Sequence, residues 1–159
     1  MKQQTARERS QMNKADSARA DMVAKKANCA QTVLSSFCEE LGVDRKTARK
    51  VALGFGGGIG GMGKTCGAVT GAFMVLGLRL NPTERNGRKM RKEIHRLMDE
   101  FKEKFIAIHG SLDCKDLLGC DVSTLEGALT ADEKDLYRTV CPGVVYDSVR
   151  ILEGMQKGK

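Results

Sequence analysis

Between Gly54 and Ala72 the chain reads GFGGGIGGMGKTCGAVTGA, and the residues in front of this run decide what fold it can serve. As Gly58-x-x-x-x-Gly63-Lys64-Thr65 it satisfies the phosphate-cradling pattern, whose glycines free backbone N–H groups to face an anion. That chemistry needs a buried β-strand ahead of the glycines. Asp44 to Phe55, DRKTARKVALGF, reads instead as a charged helical segment in which only Val51 is both β-branched and apolar. No later apolar strand offers an Asp for magnesium, and the overlapping Gly58-x-Gly60-x-x-Gly63 dinucleotide pattern lacks a strand in the same way. The glycines are therefore read as an inter-helix loop leading to Cys66.

Helical periodicity surrounds that loop. Ala30, Val33, Leu34, Phe37 and Leu41 recur at three- and four-residue intervals before Gly42, predicting one helix with a glycine stop. Asp44 is a natural N-cap for a shorter helix to about Leu53. Thr65 is expected to cap the next helix, with Val69, Phe73, Leu76 and Leu80 as its buried stripe. Gly67 with Gly71, and Ala68 with Ala72, leave small faces that suit either tight helix packing or close approach of an inorganic group. After Asn81-Pro82 the longest helix carries Met90, Ile94, Leu97, Phe101, Phe105 and Ile108 on one face. Gly110 ends it, with His95 on its polar flank and His109 as a C-terminal capping cation. Short elements follow: Asp113 to Leu118, a capping-box pattern at Ser123-Thr-Leu-Glu126, and a final helix opening at Cys141-Pro142 with Val145, Val149 and Leu152 inward.

These elements predict an all-α fold, a single-domain helical bundle with a glycine-rich inter-helix loop and short C-terminal helices. Residues 1–16 are assigned to a flexible basic arm and 17–159 to the helical domain. A length of 159 residues, 41% hydrophobic residues and 2 prolines agree with one compact core. The net charge of +7 and pI near 9.2 invite a nucleic-acid reading, but aromatics are only 4% and acids are interspersed among the bases, so no nucleic-acid partner is expected. With no apolar signal segment or bilayer-length run, no membrane association is expected and a cytoplasmic location is. In a reducing cytosol, 6 cysteines point to redox, metal-binding or packing roles rather than permanent disulfides.

Cys66 and Cys141 each fall at a helix start, where unpaired N–H groups and the helix dipole favour thiolate, and Lys64 is expected to push Cys66 the same way. Thiolate is both the nucleophile of disulfide exchange and a ligand for soft metals. No C-x-x-C occurs, so any site must be assembled across helices.

Cys29-Ala-Gln, the glycine run, Cys66-Gly67-Ala68-x-x-Gly71-Ala72, Cys114 with Leu117-Leu118-Gly119, and Cys141 before the last helix together resemble the small prokaryotic C-GCAxxG-C-C family over about residues 20 to 155. The resemblance implies a characteristic quartet at Cys29, Cys66, Cys114 and Cys141, with Cys38 and Cys120 outside it. It also implies redox activity, and an electron-transfer setting, since a similar domain accompanies haem in a multihaem cytochrome. The leading expectation is a thiol redox protein, potentially a thiol oxidoreductase, in which Cys66 is the more nucleophilic member of the quartet and another member resolves it. The alternative is a metal ion or iron–sulfur cluster held by Cys29, Cys66, Cys114 and Cys141 for electron transfer. A third is a basic helical adaptor with structural cysteines. A redox partner protein is expected, and a homodimer is compatible with the sequence.

Overall fold

The computed structural model describes residues 12–80 and 87–155. Among these the chain is helical, and its extended pairing is a lone antiparallel bridge between Thr65 and Asp113. The all-α expectation therefore holds.

The first helix, α1 (Lys14–Val23), is capped by Asn13, whose side chain accepts the Asp16 N–H. Its buried positions are Ala15, Ala18 and Met22, and it lies along the last helix, α10 (Cys141–Gly154). The packed body thus begins inside the segment assigned above to a flexible arm. Residues 1–11 of that arm lie outside the described residues.

The predicted helix through Leu41 is two: α2 (Cys29–Ser35) and α3 (Cys38–Leu41), separated at Phe37 and stopped by left-handed Gly42. Asn28 caps α2 in a reciprocal box with Gln31, and its amide also donates to the Leu53 carbonyl at 2.9 Å. One side chain thus fixes the start of the helix that presents Cys29 and ties it to the segment entering the glycine loop. Asn28→Ala is expected to cost about 1–2 kcal/mol in urea unfolding, since it removes both a cap and a long-range hydrogen bond. A cost within 0.3 kcal/mol of zero, on the order of measurement scatter, would count against this role for Asn28.

Helix α4 (Arg45–Ala52) starts at Asp44 as expected and buries Ala48 and Ala52. A 3-10 turn at Leu53–Phe55 passes into the glycine loop, where Gly57 and Gly58 take positive φ of 62° and 69°. The central helix, α5 (Gly67–Arg79), is buried from Gly67 to Ala72 and again at Val75 and Leu76, while Phe73 and Leu80 are only partly covered. A Cβ on Gly71 would lie 2.8 Å from the Ala30 carbonyl oxygen. The small faces of α5 therefore serve close contact with α2, which is the packing reading of those residues.

The long helix α6 (Gly87–His109) covers the core with Phe101 and Phe105. Phe101 meets Phe73 edge-on at 6.1 Å and stacks with Phe105 at 5.8 Å. Burying each of these rings contributes about 2–3 kcal/mol. Ile108, expected on the same face, is exposed, and His95 is exposed as expected. His109 packs on Phe105 and reaches Asp147 on α10 at 3.2 Å, so it clamps two helices as well as ending its own. The remaining helices are α7 (Cys114–Leu118), α8 (Leu125–Glu133) and α9 (Leu136–Thr139). The cap of α8 is Thr124, accepting the Gly127 N–H, and not the Ser123 of the expected box. Ser123 is held instead by the Asp121 carboxylate.

Candidate thiol site

The glycine loop turns its backbone donors inward. The N–H groups of Gly61, Gly63 and Lys64 bond to the carbonyls of Gly56, Gly57 and Gly58. They are therefore occupied and cannot cradle a phosphate, and a 3-10 turn stands where a P-loop has its strand. The loop has another use. A Cβ on Gly58 would fall 2.5 Å from the backbone N and O of Lys64 and 2.7 Å from the Cys114 Cβ, so only glycine lets these segments approach so closely.

Chain segments 63–66 and 112–115 are then joined by backbone hydrogen bonds: Cys66 N–H to Leu112 O at 2.8 Å, Cys114 N–H to Lys64 O at 2.7 Å, and Lys115 N–H to Gly63 O at 3.1 Å. This pairing sets Cys114 beside Cys66. Cys29 arrives at the start of α2 and Cys141 at the start of α10, and all four cysteines face one cavity of about 500 Å³. Met22, Leu117, Leu118 and Val144 supply apolar wall, and Lys25 and Tyr137 are polar groups of the lining. The sequence gives little signal for Lys25 and Tyr137. Lys25 sits in a turn after α1 at a positive φ of 51°, and Tyr137 lies in the short helix α9.

Every thiol of the quartet marks a helix start. Cys29, Cys114 and Cys141 are first residues of α2, α7 and α10, and Cys66 is the N-cap of α5. Thr65, the expected cap, is instead in the bridge to Asp113. Cys66 takes the N-cap position instead, its backbone carbonyl accepting the Val69 N–H at 2.9 Å and the Thr70 N–H at 3.0 Å, while the Ala68 and Val69 N–H groups at the helix start favour the ionised form of its sulfur. The largest influence on Cys66 is a hydrogen bond from the Cys29 thiol, and together these donors outweigh burial and lower its pKa below the ordinary 9.0. Lys64, expected to assist, is exposed and its charge acts on the Asp121 carboxylate.

Cys29 moves the opposite way. Hydrogen bonds with Cys141 and then Cys66, followed by burial, push its pKa well up, so the proton is held more firmly on Cys29 than on Cys66. Burial, reinforced by the neighbouring charges of Cys66 and Cys141, pushes Cys114 up to about 12. The site thus lowers the pKa of Cys66 and raises those of Cys29 and Cys114. Cys38 lies apart, its thiol donating to the Leu34 carbonyl at 3.7 Å, while Cys120 sits close enough to Cys114 for its charge to be felt there.

Among the described residues, no group of three or more His, Cys, Asp or Glu side chains is arranged to hold a metal ion. The sulfurs of Cys29, Cys66 and Cys141 are engaged with one another instead.

The family description "Putative redox-active protein (C_GCAxxG_C_C)" matches residues 27–155. The chain belongs to the C-GCAxxG-C-C family. The family name spells Gly-Cys-Ala, whereas this C-GCAxxG-C-C protein reads Cys66-Gly67-Ala68, which puts the thiol at the cap and the glycine against Cys29 and Ala30. An uncharacterized protein of Archaeoglobus fulgidus is 30% identical over 97 residues, covering 57% of this chain and 64% of that relative. The chain thus spans a little under two thirds of that protein. No solved structure matches the chain. Among the described residues no helix is long and apolar enough to cross a membrane.

Proposed function

We propose that this protein is a thiol oxidoreductase in which Cys66 is the nucleophile and Cys29 the resolving thiol. One observation carries the reading: the Cys66 sulfur shares the wall of one cavity with Cys29, Cys114 and Cys141 at the start of α5, where the Cys29 thiol and the helix N–H groups lower its pKa. A thiol with a lowered pKa on a cavity wall is the environment of a reactive cysteine.

The reaction is a two-electron exchange. The Cys66 thiolate attacks one sulfur of a substrate disulfide, and the other sulfur leaves as a thiolate, which takes the Cys29 proton. The Cys29 sulfur then attacks Cys66, forming a Cys29–Cys66 disulfide and releasing the second substrate thiolate. The substrate gains two electrons and the cysteine pair loses them, so a dithiol partner must reset the protein. Run in reverse, the same pair oxidises dithiols. Cys141, hydrogen-bonded to Cys29, is placed to share the disulfide. Cys114, with its high pKa, stays protonated at neutral pH and contributes wall.

Cys29→Ser and Cys29→Ala separate the two duties given to Cys29. Both are expected to trap a mixed disulfide on Cys66, visible by intact mass after treatment with a small aromatic disulfide. Only the alanine variant removes the donor, so only there does the pH midpoint of Cys66 alkylation rise. Equal turnover by wild type and both variants would remove Cys29 from the reaction. Iron and sulfide in stoichiometric amounts, with visible absorbance in anaerobically purified protein, would replace the dithiol mechanism by a cluster.

A further inference from the structure

Basic side chains on this protein differ in whether a carboxylate neutralises them, and part of α6 is neutralised. On α6, Arg96 pairs with Glu93 and Glu100, Lys102 with Asp99, and Lys104 with Glu100. On α4, Arg45, Lys46, Arg49 and Lys50 line one groove of about 540 Å³, and among the described residues they form no ion pair. Asp44, the carboxylate of that groove, is already engaged by the Thr47 N–H at 2.8 Å and the Thr47 hydroxyl at 2.9 Å. Arg49 Nε is buried without a hydrogen-bond partner among the described residues. A short helix with its cations left unneutralised has a positive field that no internal contact uses.

The place of this groove matters as much as its charge. Leu53 lines both the groove and the thiol cavity, and it is 63% exposed. Val51, beside it in sequence, is 59% exposed. An exposed leucine shared by the cationic groove and the thiol cavity resembles the apolar part of a docking patch with a charged rim. The groove is anchored to the site as well, because the Gln31 side chain donates to the Arg49 carbonyl and the Asn28 amide to the Leu53 carbonyl.

We propose that α4 docks an acidic segment of the redox partner, whose carboxylates lie across Arg45, Lys46, Arg49 and Lys50 and bring its disulfide or dithiol to the cavity beside Leu53. The proposal rests on the thiol-exchange reading of the cavity and adds which protein surface that cavity serves. Charge complementarity selects the occupant: a basic or neutral partner would gain nothing from this face.

The test uses two synthetic disulfide peptides, one glutamate-rich and one glutamine-rich, and measures the rate at which each forms a mixed disulfide with Cys66 of the full chain. At low ionic strength the glutamate-rich peptide is expected to react about tenfold faster, within the range of electrostatic steering. Raising salt should shrink that advantage. A Lys46→Glu/Lys50→Glu variant should invert the preference, and Lys46→Gln/Lys50→Gln, which disturbs folding less, should reduce it several-fold. Equal rates for the two peptides, a preference that survives both variants, or α4-dependent binding to phosphatidylserine vesicles without any peptide preference would overturn the docking proposal alone. Failure of both peptides to modify Cys66 would overturn the thiol-exchange reading beneath it.

Discussion

Cys66→Ser is expected to lower the rate of disulfide exchange at the cavity by at least about a thousandfold, the scale on which enzymes lose activity when their nucleophile is removed. The variant should still fold. Cys66 is the N-cap of α5, and a serine hydroxyl is among the best acceptors for that position. A drop in activity at unchanged stability therefore isolates the chemistry of sulfur. The wild-type alkylation rate at Cys66 should rise with pH and level off below the ordinary thiol value of 9.0, because the folded state lowers its pKa. Cys114, pushed up to about 12, should be modified far more slowly at neutral pH. Mass-spectrometric mapping after a brief pulse of iodoacetamide reads both sites together. Preferential labelling of Cys114 would contradict the assignment of roles.

The largest stability effect is expected at Gly58. An alanine there must adopt a φ of 69° and place its Cβ 2.5 Å from the backbone of Lys64 and 2.7 Å from the Cys114 Cβ. Left-handed strain and overpacking together should cost about 3 kcal/mol, or about 6–12 °C in melting temperature for a chain of this size. Gly57→Ala provides the control. Its φ of 62° is similar, but no atom lies within 4 Å of the added carbon, so strain alone should cost about 1 kcal/mol. The Gly58 variant should also lose the fast labelling of Cys66, since the clash forces Lys64 and Cys114 apart and disturbs the pairing of segments 63–66 and 112–115. Equal melting temperatures for the two variants would mean that the close approach at Gly58 does not hold the site together.

Much of this arrangement is legible in residue patterns. Asp44 and the alternation behind it locate α4, Gly110 and the Phe101–Phe105 spacing locate the end of α6, and Cys141-Pro142 locates the start of α10. The membership of the quartet is legible through the family resemblance, while its meeting at one cavity depends on contacts between distant segments. Helix α1 is less visible, since its buried positions are two alanines and a methionine, too small and too sparse to raise a periodic signal above its charged residues. The cap at Cys66 is hidden for another reason. Sequence rules favour Thr65, but pairing with the 112–115 segment draws Thr65 into a bridge and moves the helix start one residue on. Tertiary contacts that join distant segments leave no local trace, and the proton held by Cys29 is the outcome of one such contact.

The cavity takes its walls from both the first and the last described helices, through Met22 on α1 and Val144 on α10. During synthesis Cys29, Cys66 and Cys114 emerge from the ribosome well before Cys141 and the helix that encloses them. The nascent chain therefore carries three of its four cavity thiols before the helix that completes the cavity wall has been made.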